Sequence, residues 1–173
     1  MTGPTWKFDG CPHDGPSLAI TDKTLHIAWM DARSGTPRCW YGRSSTEALK
    51  FDVRELSSVP SSSSQGNARL LADAAGGLHA VWEEDIGENS NAHAGHSHQA
   101  PTIDAASGRA VKYAFMPAGA STFGPARSIA PRLGAFQTRP ALVCDRSGVV
   151  YVAWYELDES GKSLVVAPIA SRS

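Results

Sequence analysis

Two groups of soft and borderline metal ligands stand out in the 173-residue sequence: Cys11 with His13, and the tract His93, His96 and His98. A thiolate beside an imidazole suits Zn, Cu(I) or Cu(II). Three closely spaced imidazoles chelate Cu, Ni or Zn, and Glu83, Glu84, Asp85 and Glu88 lie nearby as oxygen donors. Both groups therefore point to a Cu or Zn site. The competing readings are a buried thiol with a loop hydrogen-bonder for the pair, and a metal-free loop rich in Gly, Ala, Ser and Asn for the tract. A third set is charged. Asp31, Glu84 and Glu156 each follow a Trp by two residues, and Arg33, Arg69 and Arg139 are expected at the same end of the molecule. Together they could bind a small polar or charged ligand, or simply ring a solvated rim with ion pairs.

Such residues need strands to position them, and the chain supplies these as a repeat. Leu18-Ala-Ile-Thr-Asp22 followed by Leu25-His-Ile-Ala-Trp29 recurs as Leu70-Leu-Ala-Asp73 with Leu78-His-Ala-Val-Trp82, and as Leu142-Val-Cys-Asp145 with Val150-Tyr-Val-Ala-Trp154. Each reads strand, turn, strand, with period-2 alternation in the second strand. Third strands follow at Arg38 to Gly42, Val111 to Ala114 and Leu164 to Ala167, and fourth strands at Phe51 to Leu56 and Phe123 to Ile129. Repeated four-stranded antiparallel meanders are β-propeller blades. The expectation is an all-β, single-domain chain (1–173) of three such blades. The third lacks a fourth strand, and Thr5-Trp-Lys-Phe8 reads as the strand that completes it in a partner chain. Three blades cannot close a ring, since propellers typically have four to eight. A homodimer formed by strand exchange would give six.

In such meanders the loops from strand 2 to 3 and the crossings from strand 4 to the next strand 1 share one end. That end, here the crossing face, collects nearly all the residues named above. His26, His79 and Tyr151 occupy one repeat position and read as structural, as do Trp29, Trp82 and Trp154. Cys39 and Cys144 read as small buried residues of the sheet. From Trp82 to Val111 the connection is far longer than those from Trp29 to Arg38 and Trp154 to Leu164, and it carries the histidine tract.

Composition excludes several classes. Sixteen Lys and Arg against 17 Asp and Glu leave a net charge of -1, too balanced for a nucleic-acid binder. No apolar run approaches the roughly 20 residues of a membrane span, and the opening Met1-Thr2-Gly3 lacks the basic and apolar regions of a signal peptide. Three cysteines cannot form a dense disulfide scaffold.

The hairpins from strand 3 to strand 4 carry a degraded motif. Ser44-Ser-Thr-Glu-Ala-Leu-Lys-Phe51 and Met116-Pro-Ala-Gly-Ala-Ser-Thr-Phe123 resemble the Asp-box (BNR) pattern of sialidase-like propellers, keeping Ser44 with Phe51 and Thr122 with Phe123 but lacking the defining Asp and Gly. The resemblance implies a six-bladed sialidase-like propeller and secreted or periplasmic residence. It implies for hydrolysis an arginine clamp on a substrate carboxylate, a Tyr nucleophile with a Glu, and an acid/base Asp. Arg139 and Arg69 stand where two clamp arginines would, while the third crossing has His13-Asp14. Tyr155-Glu156 and Tyr41 are available for the nucleophile, though adjacency in sequence does not establish geometry. The expected function is a non-catalytic sialidase-like binding protein taking a transition metal or a small polar ligand on the crossing face. The alternatives are an exo-sialidase or related glycoside hydrolase, and a structural adaptor half-propeller.

Overall fold

The computed structural model describes residues 14–33, 35–58, 62–87 and 105–169. Among them all regular structure is strand: β1 (Ser17–Thr21), β2 (Thr24–Asp31), β3 (Arg38–Ser45), β4 (Asp52–Glu55), β5 (Gln65–Ala72), β6 (Leu78–Gly87), β7 (Ser107–Met116), β8 (Arg127–Ser128), β9 (Phe136–Cys144), β10 (Val150–Asp158) and β11 (Gly161–Ile169). They form three antiparallel meanders, β1 to β4, β5 to β8 and β9 to β11. A parallel bridge between Arg109 and Phe136 joins the second meander to the third. The sheets do not close on themselves. The segment 5–8, expected to complete the third unit, lies outside the described residues, as do Cys11, His13, His93, His96 and His98.

The repeated Asp explains the first hairpin of units two and three. Asp73 Oδ1 accepts from the amides of Ala75 (2.9 Å) and Gly77 (2.7 Å), and Asp145 Oδ1 does the same for Ser147 (2.8 Å) and Val149 (2.9 Å). This side-chain turn leaves a left-handed position that Gly76 and Gly148 fill without steric cost.

In the middle unit strand 2 (β6) buries both faces, one against the preceding unit and one against the following unit, while β2 and β10 each bury the face turned to the middle unit. The faces turned to the preceding and following units are here the leading and trailing faces. The trailing face of unit one (Ala28, Cys39, Tyr41) packs on the leading face of unit two (Leu70, Leu78, Ala80, Trp82, Ala114). The trailing face of unit two (Val81, Val111, Tyr113) packs on the leading face of unit three (Val150, Val152, Trp154, Ile169). Phe123, the aromatic that ends the second degraded motif, meets Tyr41 edge-on at 5.2 Å and so belongs to the first of these junctions. The first strands lie side by side, β1 against β5 and β5 against β9, as inner strands around an axis.

His26 and His79 are structural, as expected. His26 shares hydrogen bonds through Nε2 with Thr21 Oγ1 (2.7 Å) and through Nδ1 with the Tyr41 hydroxyl (2.7 Å), and His79 repeats this with Asp73 (3.0 Å) and Tyr113 (2.9 Å). Trp82 and Trp154 are buried. Trp29 is only half buried, because no unit precedes its own among the described residues. Cys39 is fully buried, whereas Cys144 is half exposed, contrary to the expectation that both lie inside.

Candidate ligand-binding site at the crossing face

Each inner strand of units two and three opens on a buried glutamine that ties its unit to the one before. Gln65 Oε1 accepts the Cys39 amide (3.1 Å) while Nε2 donates to Glu84 Oε2 (2.5 Å). Gln137 repeats both bonds, from the Val111 amide (2.9 Å) and to Glu156 Oε2 (2.9 Å). The carboxylates two residues after Trp are thus anchors for these clasps. Glu84 also takes Trp82 Nε1 (3.3 Å) and lies 3.6 Å from Lys112 Nζ; Glu156 takes Arg132 Nη1 (3.0 Å).

Of the three carboxylate and arginine pairings expected from the sequence, the structure makes one. Asp31 is bound by the backbone and guanidinium of Arg33 and by Trp29 Nε1 (3.0 Å). Burial pushes its carboxyl pKa up, but the hydrogen bonds from Arg33 and Trp29 outweigh this and hold it below the ordinary aspartate value. Glu84 pairs with Gln65 and Lys112 instead of Arg69, and Glu156 with Gln137 and Arg132 instead of Arg139. The reason is local: a glutamine at the strand opening is nearer to each carboxylate than an arginine further along the chain.

Beyond each glutamine the strand bulges. Pairing slips between Gly66 and Arg69 in β5, and between Ala153 and Tyr155 opposite β9. The residues at the bulges, Asn67 (φ 50°) and Arg139 (φ 54°), have left-handed backbone. Asn tolerates this conformation; for Arg it costs on the order of 1 kcal/mol or more. Each bulge is held by a carboxylate accepting its amide, Asp14 Oδ2 for Asn67 (2.5 Å) and Glu83 Oε1 for Arg139 (2.5 Å).

Behind the bulges lies a buried charged cluster. Glu83 Oε1 also accepts Asn67 Nδ2 (2.7 Å), Glu83 Oε2 lies 2.8 Å from Arg109 Nε, and Arg109 Nη1 donates to Asp85 Oδ1 (2.8 Å). Burial disfavours the charged form of Arg109, yet Glu83 and Asp85 outweigh that and raise its pKa. Space at Gly66 is tight, and a side chain there would push its neighbours back by a few tenths of an ångström. A Cβ there would stand 3.2 Å from Asp14 Oδ2 and 3.4 Å from Arg109 Nη2.

Above this platform Arg139 is exposed, and among the described residues its guanidinium has no partner. Arg69 is turned back onto the Ala68 carbonyl (2.8 Å) and lies 3.9 Å from Asp14. Residue types alone did not single out Gln65, Gln137, Asn67 or Arg109. The legible signal was the recurrence of Gln at one repeat position, two residues ahead of Asn67 and Arg139.

The residues expected for glycosidic chemistry are not brought together. Tyr41 is fully buried against His26, and burial pushes its hydroxyl pKa up to about 12. Tyr155 and Glu156 are adjacent in β10 and so point to opposite faces. Burial likewise pushes the Cys39 thiol well up, leaving it inert. Among the described residues no three His, Cys, Asp or Glu side chains gather as a metal site.

No protein-family model matches the chain, and no curated protein matches it. Solved structures do. An endo-arabinase from Bacteroides thetaiotaomicron shares 13% identity at a TM-score of 0.50, with 91% of this chain and 56% of that one covered. A Trypanosoma rangeli sialidase shares 13% identity at 0.43, covering 90% and 30%, and a xylan β-1,4-xylosidase from Bacillus halodurans shares 11% at 0.29, covering 90% and 41%. The chain thus spans little more than half of the arabinase and about a third of the sialidase. At these identities the likeness speaks to fold alone, and what it shows is an all-β chain built like the β-propellers of glycoside hydrolases.

Proposed function

We propose that the crossing face binds an anionic ligand of carbohydrate type, with Arg139 as the principal contact. The observation that carries this is the strained backbone of Arg139: a non-glycine residue held left-handed by Glu83, with an exposed guanidinium and no described partner. Strain of this kind persists where the surroundings enforce it, and it is concentrated at ligand sites. A planar guanidinium matches a carboxylate through two parallel hydrogen bonds. The site is expected at the axial mouth of a ring of six units, three of them from this chain.

Binding is favoured over hydrolysis because, among the described residues, six carboxylates of the crossing face, Asp31, Glu83, Glu84, Asp85, Glu156 and Asp158, are each already engaged by a protein donor. General acid catalysis needs a carboxyl free to move a proton. Copper or zinc at Cys11 and His13, or at His93, His96 and His98, is a separate proposal that concerns residues outside the described ones.

Calorimetric titration with sialic acid, glucuronic acid and neutral glucose tests the assignment. The two acids should bind and glucose should not, and Arg139→Ala should weaken binding about tenfold or more, as expected for loss of a charge-assisted pair. Unchanged binding in Arg139→Ala, or no binding of either acid at millimolar concentration, would overturn it. Turnover of fluorogenic glycosides by the same preparation would move the assignment to hydrolysis.

A further inference from the structure

The two junctions inside the chain define what a unit face packs against, and the same two kinds of face remain open at the ends of the array. On the trailing side of unit three, Leu164 and Val166 are 65% and 61% exposed, with Val143 and Tyr155 open beside them. The positions equivalent to Leu164 and Val166 are Cys39 and Tyr41 in unit one and Val111 and Tyr113 in unit two, and all four are buried by the following unit. On the leading side of unit one, Leu18 and Ile20 are 60% and 57% exposed, while the equivalent residues of unit two, Leu70 and Ala72, pack in the first junction. The outer edge of β11 is also unpaired among the described residues, where β3 and β7 carry β4 and β8.

We propose that these ends are one head-to-tail interface between two copies of this chain, the trailing face of each third unit meeting the leading face of the partner's first unit. This rests on the ring reading above and supplies its missing half. The occupant follows from continuity with the internal junctions. A trailing face packs on a leading face twice within the chain, and the chain carries one unused face of each kind. A head-to-tail contact closes only if the rotation per unit permits; otherwise it propagates as an open polymer. Rings of four to eight units are the stable range, and multiples of three fall in that range only at six, so closure takes two copies. Apolar patches of this kind are a liability for a soluble monomer, and mutual burial removes it.

The test is molar mass by light scattering of the 173-residue chain without ligand, followed by complementation. The wild-type chain should run near twice 18.3 kDa. Val166→Glu and Leu18→Glu, at exposed positions whose substitution leaves the fold of each unit intact, should each be monomeric with unchanged circular dichroism. Mixing the two variants should restore a dimer, because the mixed pair has one junction with neither substitution. A dimer with like faces in contact, trailing on trailing or leading on leading, would give no such rescue. A monomeric wild type, an open polymer, or a dimer indifferent to both substitutions overturns the proposal, the first outcome assigning the end faces to more of the same polypeptide or to another protein. The ligand reading stands or falls separately, on titration of Arg139→Ala at unchanged mass.

Discussion

The two junctions inside the chain use one backbone device and different chemistry. Both are clasped by a glutamine that accepts a third-strand amide and donates to a carboxylate two residues after Trp. The first is otherwise largely apolar, filled by Tyr41, Leu70, Trp82, Met116 and Phe123. The second buries Glu83, Asp85 and Arg109 at its crossing-face end. In the first junction the bulge amide is held by Asp14 from the loop ahead of β1; in the second it is held by Glu83 from within β6. A repeat therefore fixes where a hydrogen bond must be satisfied without fixing which residue satisfies it. The junction that carries the buried charges is also the one that presents Arg139.

The sharpest break of this contrast is Glu83→Ala, which leaves Arg109 buried with only Asp85 and strips the Arg139 amide and the Asn67 side chain of their acceptor. Urea unfolding should show a loss of about 3–5 kcal/mol, the usual cost of breaking a buried ion pair from one side. A loss below about 1 kcal/mol would mean that the cluster is solvated. Next, Gln65→Ala and Gln137→Ala should cost similar amounts, about 1–3 kcal/mol each, because each orphans a buried amide, of Cys39 or of Val111. Clearly unequal losses would show that the clasp depends on the chemistry around it. The smallest effect distinguishes the first junction by pH. His26 is held below its ordinary pKa of 6.5, first by burial and second by Arg43. A base with a depressed folded pKa takes up its proton more readily when unfolded. Its contribution is thus complete above pH 6.5 and is lost as pH falls toward the folded value. The unfolding midpoint should drop from pH 7 to pH 5 with a slope of at most about 1.4 kcal/mol per pH unit for this one proton, and His26→Gln should flatten that component. A slope identical in the variant would remove His26 as its source.

Strand pairs and faces were legible because Leu, Asp and Trp recur at fixed spacing and strand periodicity assigns each residue to a side. The first hairpins were legible as turns, but the hydrogen bonds by which Asp73 and Asp145 close them emerge only in the structure. The site was legible only in part. Arg139 was visible as a charged residue opening an inner strand, but its left-handed backbone was not, because a bulge is a tertiary compromise between two neighbouring strands and carries no residue signature when its tip is Arg. Asp31, Glu84 and Glu156 were visible as a set, and their role was not. A carboxylate in a repeat looks the same from the sequence whether it faces a ligand or holds a glutamine from its own unit. Arg109 was missed because the third strand of unit two begins at Ser107, ahead of the apolar run starting at Val111 from which it was recognised.

The side-by-side packing of units has a consequence for how the molecule opens. Each unit touches only its neighbours, so stability is distributed as in a one-dimensional array, where a member flanked on both sides is held by two interfaces and a terminal member by one. Amide hydrogen exchange should accordingly be slowest in β6 and β7 of the middle unit and faster in β1 and β11, with opening free energies rising from the ends inward. A ring has no terminal member. Exchange rates that become uniform across the three units as protein concentration rises would register closure directly, amide by amide.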